Sequence, residues 1–303
     1  MTTAMNDLDK VAPVRHMNFE FDASKASKYV WNDNSWGSAF ILTFSAFIPA
    51  GEKMVIEAVR NFRDHIDDPV LKAEVNSLIG QEAAHSRIHD EFNQMYDLKG
   101  LPIGELARLS ERIYMDYLVN NLPRKTVLAM ACAVEHVTAL LAEKNFSEGI
   151  DLYDEYDEPA ADFLNWHLLE ELEHKSIAYD LYEAVDGRYL HRVVAFVLVW
   201  GLSVPLGLYS VDRILKTPGF NQGKKANRAG IRNFGTLFLG TVPKLLAYFR
   251  PGFHPNDIDT TDMLLEWREK FFGEQGRLSS KVTKTILPRR KTKNKKRKAA
   301  MAN

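Results

Sequence analysis

The chain has 303 residues, 46% apolar and 26% charged, enough for one large domain or two ordinary ones and typical of a globular protein. Its one cysteine, Cys132, excludes an internal disulfide framework, a four-cysteine zinc site and a rubredoxin-type iron centre. The net charge of −1 hides a split: from Lys281 onward there are ten Lys/Arg and no acid, so residues 1–280 carry −11.

Residues 1–34 read as an extended arm, with mixed polarity, Pro13 and no sustained period. The start has no apolar run behind a basic end, so no secretory leader is expected and a cytoplasmic location follows. Apolar residues recur at helical spacing over 36–66. Asp67-Asp68-Pro69 then predicts a helix end and a new start, with Asp as cap and Pro in the first turn. The second helix should run to about Leu98 and stop at Gly100. A shorter one is expected over 102–120. A third long helix should start near Pro123 and end near Ser147, with Gly149 just beyond. Glu158-Pro159 opens a fourth, ending near Asp186-Gly187. No segment alternates as a strand does, so the expected class is all-α. Short connections within each helix pair and about two dozen residues between the pairs suit a four-helix bundle with one long crossover. Pro49, three residues before Glu52, should kink the first helix there.

The later sequence changes character. Residues 193–211 hold no charge, 234–249 are apolar apart from Pro243 and Lys244, and 259–272 suit an amphipathic helix. From Arg277 the chain reads as unstructured, with Pro288 before a Lys/Arg run. The domains expected are therefore an arm (1–34), a bundle (35–187), additional apolar or amphipathic helices (188–275) and a basic tail (276–303).

One short pattern occurs twice. Gln81-Glu82-Ala83-Ala84-His85 and Glu170-Glu171-Leu172-Glu173-His174 each contain Glu-x-x-His, whose ends share a helix face. Each copy follows a helix carrying another acid, Glu52 and Glu135. Both acids end apolar runs, where an unpaired carboxylate is costly. Glu52, Glu82, His85, Glu135, Glu171 and His174 thus form the ligand set of a di-metal carboxylate site. Oxygen donors with two imidazoles suit Fe or Mn, with Zn not excluded by affinity.

Around this set, His89 and His167 lie on the same faces as extra ligands, supporting partners or proton shuttles; the plainer reading, a hydrogen-bonded bundle histidine, ranks ahead of ligation. Glu170 and Gln81 are candidates to support the ligands. His136 is turned about 100° from Glu135 and is not expected to ligate. Glu173 should point away into solvent. Cys132 and Thr138 should face the interior as small core residues, with a cavity or proton-relay role for Thr138 as the alternative.

The segments Phe47-Ile48-Pro49-Ala50-Gly51-Glu52, Gln81 to His89, Glu135-His136-Val137-Thr138-Ala139 and Trp166 to Lys175 resemble, in order, the blocks FPxGE, QExxHxxxH, EHxTA and WHxxEExEHK. The first carries one extra residue between Phe and Pro. These blocks mark a bacterial family labelled predicted metal-dependent hydrolase, within the ferritin-like superfamily. The resemblance covers roughly residues 14–250. It implies a ferritin-like fold with the six metal roles above, and its pattern includes His89 and His167.

Three functions compete. A di-iron or Mn/Fe enzyme would activate O2 to oxidise a small or lipid-like substrate, and site chemistry puts this reading somewhat ahead. A hydrolase acting through metal-activated water agrees with the family label. An iron storage or detoxification protein comes last, because a storage bundle does not need the residues after 188. Glu52, Glu135, His89, His167 and Thr138 are the candidate catalytic residues. Residues 193–211 are long enough to cross a bilayer. Burial, a homodimer interface or contact with the inner membrane face through 193–249 and the basic tail is favoured over a span, and a nucleic-acid partner is not expected.

Overall fold

The computed structural model describes residues 11–149, 152 and 156–287. The chain is mostly helical, as expected. α1 (Ser35–Arg60) starts where Asn34 Oδ1 accepts from the Gly37 amide at 2.9 Å. It stops short of the predicted end, and the chain continues through a 3-10 turn at Arg63–His65. α2 (Pro69–Leu98) opens as predicted, with Asp68 capping the Val70 amide at 2.8 Å and Pro69 in the first turn. Gly100, at φ +85°, turns the chain after it.

α3 (Ile103–Glu111) passes directly into a π-helical stretch, Arg112–Val119, so the predicted 102–120 helix changes its hydrogen-bond register midway. α4 is Arg124–Ser147. The predicted fourth helix is in fact two: α5 (Glu158–His174) and α6 (Ile177–Val185). The break falls just after His174. There Lys175 reaches Thr260 Oγ1 at 2.9 Å and Ser176 Oγ donates to Asp180 at 2.9 Å. Beyond lie α7 (Tyr189–Leu215), α8 (Lys224–Ala247) and α9 (Thr261–Phe272).

Two expectations need correction. The chain does contain strands: β1 (Val14–Met17) pairs antiparallel with β2 (Val282–Ile286), Val14 opposite Ile286 and Met17 opposite Val282. The sequence after Arg277 is therefore structured as far as this strand, sewn to the N-terminal arm. Alternation was hard to see because β2 is exposed on nearly every residue, so neither face needs apolar side chains. The Lys/Arg run from Arg289 lies outside the described residues.

The core divides into two apolar clusters. One gathers Leu42, Phe92, Phe163 and Trp166; the other gathers Met54, Leu128, Met130 and Tyr182. α2 passes from the second cluster at Leu78 to the first at Ala84, and α4 passes from Ala133 to Ala142. The predicted ligands Glu82 and Glu135 sit at these passages. A polar layer thus crosses the helices where the two apolar halves meet.

Among the described residues, three helical segments are long and apolar enough to cross a membrane: Ser35–His65, Arg124–Ser147 and Tyr189–Leu215. The first two have 67% and 78% of their apolar window buried within the protein, while α7 has 28%. α7 packs Arg192, Phe196, Val199 and Ile214 inward, and leaves Leu190, Val194, Leu198, Val204 and Leu208 exposed.

Candidate metal centre

α1 contributes Glu52, α2 Glu82 and His85, α4 Glu135, and α5 Glu171 and His174; all six are at least 95% buried. Among the described residues, two groupings bring ligand atoms within 4.8 Å of one another: Glu52, His85, His167 and Glu171, and Glu82, His85, Glu171 and His174. Glu135 joins through His174, whose Nδ1 lies 2.7 Å from its Oε2. Four acids this close in a place without bulk water cannot all stay charged unless cations or protons balance them.

The electrostatics express that conflict. Burial and the neighbouring Glu82 push the Glu52 carboxyl well above its usual range. Burial, with repulsion from Glu82 and Glu171, pushes Glu135 up to about 8 against the pull of His174. His174 is itself pushed up to about 10, because Glu135, Glu82 and Glu171 outweigh the effect of its burial. Glu171 goes the other way, to about 2, where His174, His167 and His85 overcome burial.

A test of fit for metal lies in the unpaired atoms. Among the described residues, Glu52 Oε1, Glu82 Oε1, His85 Nδ1, Glu171 Oε2 and His174 Nε2 are buried without a hydrogen-bond partner, although Glu82 Oε1 and His174 Nε2 lie 3.2 Å apart. Five unsatisfied oxygen and nitrogen atoms at one place are costly in a protein interior and are the donor types that hold Fe, Mn or Zn. The residues fit such a group.

The groups behind the ligands orient them. His85 Nε2 lies 3.0 Å from Glu170 Oε2, and Arg15 in β1 donates to Glu170 Oε1 at 2.8 Å. Against the effect of burial, Glu170 and Glu82 raise the His85 pKa well above its ordinary value, so a cation must displace the Nδ1 proton; Nε2–H would still donate to Glu170, and the Nδ1 lone pair would face Glu52 and Glu82, each 3.7 Å away. Glu173 is the corrected residue here. Its side chain is enclosed rather than solvated, and it accepts from Arg15 twice at 2.8 Å, from Gln81 at 2.9 Å and from Arg268 at 2.9 Å. Gln81 therefore supports Glu173 and the Pro13 carbonyl through its hydrogen bonds. Arg15 lies in the stretch read only as an arm, and nothing in the sequence linked it to acids some 155 residues away.

A second chain of bonds begins at Pro49. Proline has no amide hydrogen, so the Ser45 carbonyl lacks its helical donor. Asn93 Nδ2 supplies one at 2.9 Å. This orients the Asn93 amide so that its Oδ1 accepts from Ser45 Oγ at 2.8 Å. Ser45 Oγ must then accept from His89 Nδ1 at 2.8 Å, which leaves His89 Nε2 as acceptor for His167 Nδ1 at 2.7 Å. With Nδ1–H of His167 donating to His89, the 2.7 Å hydrogen bond between its Nε2 and Glu171 Oε1 needs one further proton, which the two groups share, and Nε2 also lies 3.6 Å from Glu52 Oε1. Burial holds His89 well below its ordinary pKa, and lowers His167 as well. This keeps the His89 ring neutral, as the chain of bonds requires, while Glu171 pulls His167 the other way.

Of the remaining candidates, His136 stacks on Tyr248 at 5.0 Å, away from the ligand atoms. Cys132 Sγ donates to the Ala178 carbonyl at 3.2 Å. Thr138 Oγ1 donates to the Glu135 carbonyl at 3.1 Å and lines a cavity of about 410 Å3. Glu52, Glu82, Glu135 and Glu171 form the polar end of this cavity. Its walls are almost wholly apolar, with Phe47, Val134, Phe196 and Trp200 among them.

A family model described as predicted metal-dependent hydrolase matches residues 13–259. No curated protein and no solved structure matches the chain.

Proposed function

Because the chain belongs to the family described as predicted metal-dependent hydrolase, we propose that it hydrolyses an ester at a two-cation centre held by Glu52, Glu82, His85, Glu135, Glu171 and His174. The observation that carries this reading is the convergence of five buried oxygen and nitrogen atoms without hydrogen bonds from these residues. The order Glu, Glu-x-x-His, Glu, Glu-x-x-His on α1, α2, α4 and α5 supports a ferritin-like arrangement of these helices. Bound there, the cations would supply Lewis acidity toward the ester oxygen and make a water more acidic.

The protein's own groups do the rest. Glu170 and Arg15 keep Nδ1 of His85 turned toward the centre. With the Glu171 carboxylate drawn to the cations, His167 Nε2 would be free to take a proton from the attacking water and return it to the departing alkoxide. His89 and Ser45 hold its ring in that orientation. In the balance, the water oxygen bonds to the acyl carbon, the acyl carbon–oxygen bond breaks, and the alcohol leaves with one water proton. The apolar walls keep other water out of the cavity.

A second reading, oxidation of an organic substrate by O2, is favoured by the same dry walls and by donors that suit iron. Metal analysis of protein purified without added metal, followed by ester assays and O2 titration of the reduced protein, separates the two. The hydrolase reading expects two cations per chain and ester cleavage lost on chelation. Cleavage by metal-free protein would overturn it. Stoichiometric O2 uptake by reduced iron-loaded protein that cleaves no ester would establish oxidation instead. Uptake of many irons per chain would show storage.

A further inference from the structure

The cavity does not end at the carboxylates. Its wall includes residues of α1, α4, α7 and α8, and two of them, Val204 and Leu208, are 54% and 65% exposed. It therefore runs from the buried acids to the surface beside α7. Its volume of about 410 Å3 holds about a dozen methylenes if each takes about the 30 Å3 of a water. Gly51 and Gly207 both lie in helices on this wall, and a Cβ built on either meets nothing within 4 Å. Bare helix positions of this kind leave the channel open at the acid end and near the mouth. Thr43 Oγ1, buried on the same wall, has no partner.

The surface around the mouth is unusual for a chain whose first 280 residues are acidic. On α7, Leu190, Val194, Leu198, Val204 and Leu208 share one exposed face at helical spacing. On α8, Ile231, Leu239, Val242 and Leu246 do the same. Between Arg213 and Arg232 the chain has six basic residues and no acid. Four of these, Lys224, Lys225, Arg228 and Arg232, are exposed on α8. An apolar face edged by cations is the pattern that settles helices into an anionic bilayer surface. The opposite face of α7 packs on α1 and α4, which leaves the helix one face to lay along such a surface and none to cross it with.

We propose that the cavity seats one hydrocarbon chain of a membrane lipid, which enters beside Val204 and Leu208 from an anionic bilayer on which α7 and α8 rest. The proposal rests on the acidic cluster being the reacting end of the cavity, where the lipid's ester would lie.

Two binding measurements test it without using turnover. The first follows cis-parinaric acid fluorescence with the full chain, with and without metal, and its displacement by straight-chain fatty acids. Affinity should rise about fourfold per added methylene and level off near a dozen carbons. Gly207→Trp should weaken the probe more than tenfold while metal content and thermal midpoint stay at the wild-type values. The second is flotation with phosphatidylglycerol or phosphatidylcholine vesicles. Binding to the former alone, reversed by salt and lost in the Val204→Asp/Leu208→Asp variant, is expected. Affinity independent of chain length, or a Gly207→Trp protein that binds as well as wild type, would overturn the cavity assignment. A chain that ignores both vesicles, and whose dimer dissociates in the Val204→Asp/Leu208→Asp variant, would show a face for a second copy and overturn the membrane assignment. Chain binding without cleavage of any ester leaves the proposal standing and removes the hydrolase reading. Cleavage of short esters without chain binding does the reverse.

Discussion

α4 and α7 are both long apolar helices, yet the protein uses them in opposite ways. The more apolar of the two, α7, is the less buried: 28% of its window against 78% for α4. α4 lies among α1, α5, α6, α7 and α8, so its apolar residues are enclosed on nearly every side. α7 lies at the rim and meets the rest through one face. Hydropathy measures how much a helix loses in water, while position decides whether protein or something else relieves that loss. The same contrast explains the polar residues. Glu135 sits in the middle of α4 because carboxylates and imidazoles from three other helices converge there. α7 carries no acid between Val193 and Val211, and contributes wall and mouth to the cavity.

The largest test of this contrast is Glu135→Ala on α4. Removing a ligand should cost at least the ten- to hundredfold typical of a supporting residue, and metal analysis should find one cation or none per chain. Full occupancy after the change would mean that the acid in α4 is structural. A second test compares leucines. Leu128→Ala, fully buried on α4, should cost about 2–5 kcal/mol. Leu208→Ala, exposed on α7, should change stability by about 0.5 kcal/mol or less. Urea unfolding of the two variants reads the difference, and equal costs would place α7 inside an interface in solution.

The smallest test concerns the corner where the two helices meet. Asp186 accepts from Lys125 in the first turn of α4 at 3.3 Å, and from Arg188 and His191 at the start of α7 at 3.0 and 2.8 Å. Against the effect of burial, these bonds hold its carboxyl below the usual range. A depressed folded-state pKa gives stability that is complete above the unfolded value, about 3.9, and is lost as pH falls through the folded one. Asp186→Asn should therefore cost about 1 kcal/mol near neutral pH. That cost should stay constant down to about pH 5 and shrink in stronger acid. A cost that grew in acid would contradict the assigned pairing.

Local signals made the helices and the candidate ligands legible. Asp68-Pro69 marks the start of α2, and Glu-x-x-His places two donors on one face because three residues make nearly one turn. The Pro49 signal was visible but its consequence was not. The carbonyl it frees is Ser45, by simple counting, yet its new donor is Asn93 on another helix. Glu173 was misread for a similar reason. Its position on α5 turns it from the cluster, and on an isolated helix it would meet water. Arg15 and Arg268 cover it from the two far ends of the chain. Lys175-Ser176, which breaks α5 from α6, offered a weak capping signal inside an unbroken apolar pattern.

The sequence by itself determined where most of the bundle's helices form, which acids and histidines share a face, and that residues 193–211 of α7 are apolar without charge. These properties depend on neighbours three or four residues apart, and such neighbours are fixed once the helix is. Only the tertiary structure decided that α4 is enclosed while α7 lines a channel. It also decided that β1 and β2 join the ends, and that Arg15, Asn93 and His89 set the orientation of ligands far from them in the chain. Those contacts span tens to hundreds of residues, and their partners are chosen by how the helices pack and not by any local pattern.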